Sequence, residues 1–233
     1  MINPNTLTRN QLCAMFDHTN LKPYADHKAF EQLCLEAREN GYAMVAINSA
    51  PVAECKALLQ GSSVHVGAAI SFPLGQTTIE IKCAETENAI RCGADEIDYV
   101  VNLSAVKNGD WDYVAREMRT LVKLCRENGV LIKVIFETCY LTEAEITILA
   151  QIARRERPDF VKTSTGFGTA GATAHNVALM KRIVGDEVKV KAAGGIRTWE
   201  QCRQMILAGA ERIGTSCAAR ILEGFDADRG KSG

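Results

Sequence analysis

Short apolar runs recur along the chain, and most of them precede a longer stretch whose apolar residues recur at helical spacing. The runs are typical of buried parallel strands, and the longer stretches are typical of amphipathic helices. Seven strands are predicted, over residues 43–48, 64–72, 96–102, 131–137, 159–164, 188–193 and 212–215. Helices are predicted over residues 26–40, 78–92, 111–128, 142–155, 174–184 and 198–208. Thr142 and Glu145 have the spacing of a capping box at the start of one helix.

Strands that alternate with helices imply parallel strands joined by right-handed crossovers. Such a sheet either closes into a barrel or stays open and doubly wound. Closure needs an eighth strand, and the candidate is the short run at residues 14–18. We favour a single-domain (β/α)8 TIM barrel over residues 1–225, because the chain lacks the glycine-rich motifs of the common open nucleotide-binding folds. Residues 226–233 read as a short polar tail that we expect to be mobile.

Composition narrows the classes of function. The chain has 27 Lys and Arg residues against 28 Asp and Glu residues, so no overall field points to nucleic acid or to an acidic membrane surface. The nine cysteines include no Cys-x-x-Cys pair, which argues against a disulfide framework and favours a reducing compartment. No segment resembles a signal peptide or a membrane span. We therefore expect a cytoplasmic protein that binds neither nucleic acid nor membranes.

Three lysines lie at equal intervals inside apolar strands: Lys133, Lys162 and Lys191. A buried ammonium group is costly unless it is paired or loses its proton, and crowding pushes one lysine toward the neutral, nucleophilic amine. Side chains alternate along a strand, and this alternation directs the three lysines and Asp98 toward the barrel axis. Buried salt bridges that only stabilise the barrel are the alternative interpretation. The combination of three lysines and an aspartate favours a site that forms a Schiff base.

Glycine-rich segments follow the last predicted strands. In barrels of this kind the loops after the seventh and eighth strands often bind phosphate through backbone N–H groups and helix N-termini. The residues that fit this task are Gly194, Gly195, Gly214 and Ser216, with Gly166 as a contributor from the preceding loop. The four histidines lack the spacing of metal ligands, so we expect no bound metal and no cofactor.

Six segments of the chain resemble the deoxyribose-phosphate aldolase family and occur in the family's order up to about Gly224. They are residues 17–23 (DHTNLKP), 71–75 (SFPLG), 94–98 (ADEID), 131–138 (LIKVIFET), 162–167 (KTSTGF) and 191–197 (KAAGGIR). The resemblance implies a metal-independent class I aldolase of deoxyribose phosphate catabolism. Its substrates would be a small sugar phosphate and aldehydes: 2-deoxy-D-ribose 5-phosphate would be cleaved reversibly to D-glyceraldehyde 3-phosphate and acetaldehyde. It also implies a homo-oligomer, a dimer or a tetramer.

The resemblance assigns a role to individual residues of the lumen. Lys162 matches the lysine that forms the Schiff base with the substrate. Lys191 matches the cationic neighbour that lowers the pKa of that amine. Asp98 matches the carboxylate that moves protons together with Lys191 and water. Lys133 matches a lysine near Asp98, to which we give an orienting or charge-balancing role.

The remaining matches concern the edge of the site. Asp17 and Thr19 match residues of the first strand that line the site and contact substrate hydroxyls. Relatives often carry two serines after the last strand, whereas here the second position is Cys217. Two other functions stay open: a Schiff-base barrel aldolase for a different sugar phosphate, and a phosphosugar-binding barrel that has lost its chemistry. The presence of Lys162, Lys191 and Asp98 argues against the binding barrel.

Overall fold

Eight parallel strands form a closed barrel in a computed structural model that describes residues 2–230. Each strand pairs with the next one along the chain, and the first pairs with the last. The strands are β1 (Phe16–Thr19), β2 (Met44–Asn48), β3 (His65–Ile70), β4 (Glu96–Val100), β5 (Leu131–Ile135), β6 (Phe160–Lys162), β7 (Lys189–Ala193) and β8 (Arg212–Thr215). The predicted (β/α)8 barrel is confirmed, including the short first strand, which begins two residues later than predicted.

Helices connect the strands on the outside of the barrel. They are α1 (Arg9–Cys13), α2 (His27–Asn40), α3 (Val52–Leu58), α4 (Ile79–Arg91), α5 (Leu103–Lys107), α6 (Trp111–Glu127), α7 (Glu143–Glu156), α8 (Ala174–Val184), α9 (Trp199–Leu207) and α10 (Ala218–Gly230). One turn of 3-10 helix, Thr138–Tyr140, follows β5. The sequence pattern predicts the six longer connecting helices and misses α1, α3, α5 and α10. Three of these are too short to show a periodic apolar face, and α10 ends in polar residues.

Local side chains fix where the helices begin and end. The Thr142 hydroxyl accepts a hydrogen bond from the Glu145 N–H, and the Glu145 carboxylate accepts one from the Thr142 N–H, as the predicted capping box requires. Gly41 ends α2 in the left-handed conformation, with φ of 66°. Within residues 2–230, no helix has both the length and the apolar character needed to cross a membrane.

The predicted boundary between barrel and tail does not coincide with a change in structure. α10 continues through residues 226–230, and contacts with neighbouring segments hold them. The Trp199 indole N–H donates to Asp228 at 3.0 Å, and the Arg229 guanidinium donates to two backbone carbonyls of the N-terminal segment. These contacts offset the polar character of the segment and keep it helical. Residues 231–233, the rest of the predicted tail, lie outside the described residues.

The core lies between the strands and the helices. Val134, Val161 and Val190 point outward from neighbouring strands and are fully buried in this layer. Because side chains alternate along a strand, the residues next to these valines point into the lumen. In the strand register Asp98 pairs with Lys133, and Lys162 with Lys191. The fold therefore sends these four polar side chains to the barrel axis.

Candidate active site

Asp98 lies at the centre of a charged cluster inside the barrel. Its Oδ2 accepts hydrogen bonds from the Nζ atoms of Lys162 at 2.8 Å and Lys191 at 2.7 Å. Its Oδ1 accepts one from Lys133 Nζ at 2.8 Å. Burial acts to raise the pKa of Asp98, but the three lysines together hold it well below its ordinary value. The structure thus brings together the four residues that the strand alternation directs to the axis.

Three further charged residues complete the cluster: Asp17, Glu96 and Arg212. Arg212 donates to Asp17 Oδ1 at 2.9 Å and to Glu96 Oε1 at 2.8 Å. Lys191 Nζ lies 2.5 Å from Asp17 Oδ2, and Lys133 Nζ donates to Glu96. The lumen therefore holds four basic and three acidic groups rather than the three lysines and one aspartate of the sequence prediction.

Sequence reasoning missed Glu96 and Arg212 as members of the site. Glu96 lies two residues before Asp98 on β4 and has the same orientation, so the alternation of the strand contained the signal. Arg212 lies two residues before Gly214, which was assigned to the site, but a basic residue at the start of a strand is typical of the surface. Both side chains are almost completely buried.

Lys162 differs from the other two lysines in its access and in its charge state. It lines a cavity of about 230 Å³ at the C-terminal end of the barrel, which neither Lys133 nor Lys191 lines. Burial lowers the pKa of Lys162 to about 8; the Asp98 carboxylate opposes this effect and the positive charge of Lys191 adds to it. Burial is thus the larger cause, and the cationic neighbour that the resemblance emphasises is the smaller one. About a tenth of the amine is neutral at pH 7.

Lys133 has the opposite charge environment. Burial favours its neutral amine, but the carboxylates of Asp98, Glu96 and Asp17 outweigh burial and raise the pKa of Lys133 above its ordinary value. Lys133 therefore stays an ammonium group at neutral pH. This is the charge state that an orienting or charge-balancing role needs.

The rim of the cavity is built from the loops that follow β1, β6, β7 and β8. It contains Thr19 and all the residues predicted to bind phosphate: Gly166, Gly194, Gly195, Gly214 and Ser216. Three of these glycines adopt left-handed φ angles, of 90°, 86° and 78° in chain order, which other residues rarely adopt. A Cβ atom at Gly171 would lie 2.1 Å from the Gly194 carbonyl oxygen, so the loops after β6 and β7 pack backbone against backbone.

Three exposed rim residues lie outside the predicted set: Lys22, Phe167 and Arg197. Lys22 and Arg197 place positive charge beside the glycines. The Phe167 ring packs edge to face against the Phe72 ring, with 5.4 Å between the ring centroids. Each belongs to one of the six family-like segments. Lys22 and Arg197 are basic residues that follow the end of a strand, and this position could have indicated that they belong to the site.

A buried carboxylate anchors the loop after β6. Glu137 follows β5 with a left-handed φ of 55°, and its side chain is almost completely buried. It accepts a hydrogen bond from the Thr165 N–H at 3.2 Å and another from the Thr165 hydroxyl. Thr165 in turn accepts a hydrogen bond from the Phe167 N–H at 3.0 Å. This chain of contacts fixes the loop that carries Gly166.

A family model of DeoC/LacD aldolases matches residues 12–224 of the chain. The chain belongs to this family. A deoxyribose-phosphate aldolase of Bacteroides thetaiotaomicron is 52% identical over 219 residues, which cover 94% of this chain and 92% of the relative. One of Lactobacillus acidophilus is 50% identical over 216 residues, which cover 93% and 91%. The tetrameric deoxyribose phosphate aldolase of Aeropyrum pernix has a TM-score of 0.88 at 32% identity, and the match covers 94% of this chain and 93% of that one.

The DeoC/LacD match includes all eight strands and every residue of the charged cluster. The predicted family membership is confirmed, and the chain is an aldolase. Among residues 2–230, no group of three or more His, Cys, Asp or Glu side chains is arranged to hold a metal ion. The arrangement that can do chemistry is a buried amine beside a carboxylate, at the end of an open cavity.

Proposed function

We propose that this aldolase reversibly cleaves 2-deoxy-D-ribose 5-phosphate to D-glyceraldehyde 3-phosphate and acetaldehyde through a Schiff base on Lys162. The observation that carries the proposal is a lysine with a pKa of about 8 that lines the cavity and bonds to Asp98. Family relatives named for this substrate are about half identical to the chain over most of its length.

The reaction begins when the neutral amine of Lys162 attacks the aldehyde carbon of the open-chain sugar. Loss of water from the carbinolamine leaves a protonated imine, which draws electrons from the bond between the second and third carbons. That bond breaks as the third-carbon hydroxyl loses its proton, and the phosphorylated triose leaves. Protonation of the remaining enamine at carbon and hydrolysis of the new imine release acetaldehyde and restore the amine.

Asp98 and Lys191 move protons during these steps. The Asp98 Oδ2 atom bonds to both lysine amines, so one carboxylate oxygen connects the nucleophile with its cationic neighbour. Lys133 holds the other oxygen of Asp98 and balances its charge. Asp17 binds Lys191, and Thr19 contacts substrate hydroxyls from the rim, where its own hydroxyl donates to the Asp17 carbonyl at 2.9 Å.

The phosphate group binds at the rim formed by Gly166, Gly194, Gly195, Gly214 and Ser216. The left-handed glycines let the backbone approach an anion closely, and α10 begins two residues after Ser216 with its N-terminus toward the rim. Lys22 and Arg197 add positive charge at the same place. Binding the phosphate far from the reacting carbon orients the aldehyde toward Lys162.

Reductive trapping tests the proposal. Borohydride with acetaldehyde, or with deoxyribose 5-phosphate, should leave a stoichiometric covalent mass on the peptide that contains Lys162. Lys162→Ala should abolish both the adduct and turnover, whereas Lys189→Ala, at an exposed lysine of β7, should change neither. An untrapped wild-type protein, or undiminished turnover in Lys162→Ala, would refute the assignment. An acetaldehyde adduct without triose phosphate release from deoxyribose 5-phosphate would indicate a different sugar phosphate.

Assembly and location belong to the same proposal. We expect a cytoplasmic homo-oligomer, a dimer or a tetramer, that binds neither nucleic acid nor membranes. All nine cysteines are free, which suits a reducing compartment, and the Aeropyrum pernix relative is tetrameric. Leu74 and Ile81 are 68% and 54% exposed, and an interface would bury them. Light scattering coupled to size exclusion should give a mass of two or four chains; a single-chain mass would contradict the expectation.

A further inference from the structure

Two charged residues beneath Asp98 take no part in the chemistry set out above, although both are buried in the lumen. Glu96 begins β4 and Arg212 begins β8, so both lie toward the end of the barrel opposite the cavity. We propose that Glu96 and Arg212 are positioning residues for the aldolase reaction, which hold Asp17 and Lys133 in place and set the net charge around the Lys162 amine. The inference rests on the proposed function of Lys162.

The contacts of the lumen close into a ring of six groups in which acidic and basic side chains alternate. In order around the ring they are Glu96, Arg212, Asp17, Lys191, Asp98 and Lys133, after which the ring returns to Glu96. Each of the six carboxylate oxygens contacts a basic group of the ring, and Asp17 Oδ2 also lies 3.9 Å from Lys133 Nζ. We call these six residues the lumen ring.

Lys162 lies outside the lumen ring. It bonds to Asp98 Oδ2, an oxygen that already accepts a hydrogen bond from Lys191. The lumen ring contains three carboxylates and three cations, so it is neutral without Lys162. A proton on Lys162 is therefore the one positive charge in the lumen that has no carboxylate of its own. This accounts for the loss of the proton from Lys162 rather than from Lys133.

The neutrality of the lumen ring depends on Glu96 and Arg212. Without Glu96 the ring has an excess positive charge, which disfavours a proton on Lys162; without Arg212 it has an excess negative charge, which favours one. Removal of both restores neutrality. The two single substitutions must therefore act in opposite directions, which a purely structural role does not require.

Other charged groups adjoin the lumen ring. His65 of β3 forms a hydrogen bond with Glu96 Oε1 at 2.8 Å and is half-exposed, with Asp95 near it. Below the ring the centroid of the Phe160 ring lies 5.5 to 5.8 Å from the cationic groups of Lys133, Arg212 and Lys189. Lys189 is exposed, so solvent screens its charge from the lumen ring. A change at Lys189 should leave Lys162 unaffected.

The test measures the pH dependence of Lys162 itself. Wild type and variants are incubated with acetaldehyde and cyanoborohydride across a pH series, and the initial rate of adduct formation at Lys162 is followed by mass spectrometry. Glu96→Gln should move the midpoint of the profile to lower pH and Arg212→Met to higher pH, each by on the order of one pH unit. The double variant should return close to the wild-type midpoint, and Lys189→Met should leave it unchanged.

Arg212→Lys is included in case the other variants fail to fold. It keeps the positive charge but loses the planar guanidinium that binds two carboxylates at once. Its midpoint should stay at the wild-type pH while its maximal rate falls. Midpoints that do not move in Arg212→Met, or that move in the same direction in Glu96→Gln and Arg212→Met, would overturn the inference. A wild-type protein without any adduct at Lys162 would instead overturn the proposed function.

Discussion

At the scale of single residues, the charge state of Lys162 controls the proposed reaction. Only the neutral amine attacks a carbonyl, and the pKa of Lys162 is about 8. The folded protein therefore gains nucleophile as the pH rises toward 8 and loses it as the pH falls below. We expect kcat/KM to decrease about tenfold for each unit of pH below about 7, with an apparent midpoint near 8 in initial-rate measurements.

Lys191→Met gives the corresponding test of the neighbouring charge. The positive charge of Lys191 lowers the pKa of Lys162, so its removal should move the acid limb of the pH profile upward. Lys189→Met, at an exposed position of the same strand, is the matched control and should leave the limb in place. An unchanged limb in Lys191→Met would show that the charge of Lys191 does not contribute to the pKa of Lys162.

At the scale of elements, a buried ion pair joins two helices to the end of β4. Lys82 of α4 donates to Glu117 of α6 at 2.6 Å and to the Val100 carbonyl at 2.7 Å. The other Glu117 oxygen accepts a hydrogen bond from the Asn102 N–H at 3.1 Å. Both side chains are fully buried. The pair therefore satisfies backbone groups at the strand end that follows Asp98.

Lys82→Met should destabilise the protein by about 3–5 kcal/mol, because it leaves the Glu117 carboxylate buried without a counter charge. Urea unfolding followed by circular dichroism measures the change. The exposed pair between Lys123 and Glu127, at 3.8 Å, supplies the control, and Lys123→Met should stay within about 0.5 kcal/mol of wild type. A Lys82→Met variant as stable as the control would mean that Glu117 becomes protonated or hydrated at little cost.

The packing of the loops after β6 and β7 predicts an effect on phosphate binding. A Cβ atom at Gly171 would collide with the Gly194 backbone, so Gly171→Ala must displace one of the two loops. We expect KM for deoxyribose 5-phosphate to rise on the order of tenfold with a smaller change in kcat. Gly230→Ala is the control, because its Cβ would meet nothing within 4 Å. Equal KM values in the two variants would show that the packing of these two loops does not contribute to phosphate binding.

The elements could be predicted from the sequence far better than their mutual contacts. The pattern of apolar runs located seven of the eight strands, because buried parallel strands leave continuous apolar runs, and the need to close the barrel pointed to the short first strand. Lys82 shows the limit: it lies on the buried side of α4 between Ile79 and Thr86, yet a lysine in an amphipathic helix is typical of the solvent face. Its partner Glu117 is distant in sequence, and only the packing of the two helices pairs them.

At the scale of the whole molecule, the barrel decides which inward residues meet. Strand alternation predicts that Asp98 and the lysines face the axis, but it carries no information on distances across the lumen. The cluster also needs β1 and β8, because Asp17 and Arg212 come from strands at opposite ends of the chain. For this reason the lumen holds three carboxylates and four basic groups, where strand alternation predicted one carboxylate among three lysines.

The lumen ring and Lys162 are carried by strands, within them or at their ends, and not by mobile loops. Backbone amides in central strands exchange with solvent only when the whole domain opens, whereas rim and terminal amides exchange by local fluctuations. We expect deuterium uptake at Asp98, Lys133 and Lys191 to report the global free energy of unfolding, and heat inactivation to coincide with the loss of tertiary structure. Inactivation well below that transition would contradict this. The nucleophile's charge state should then persist through any fluctuation smaller than unfolding itself.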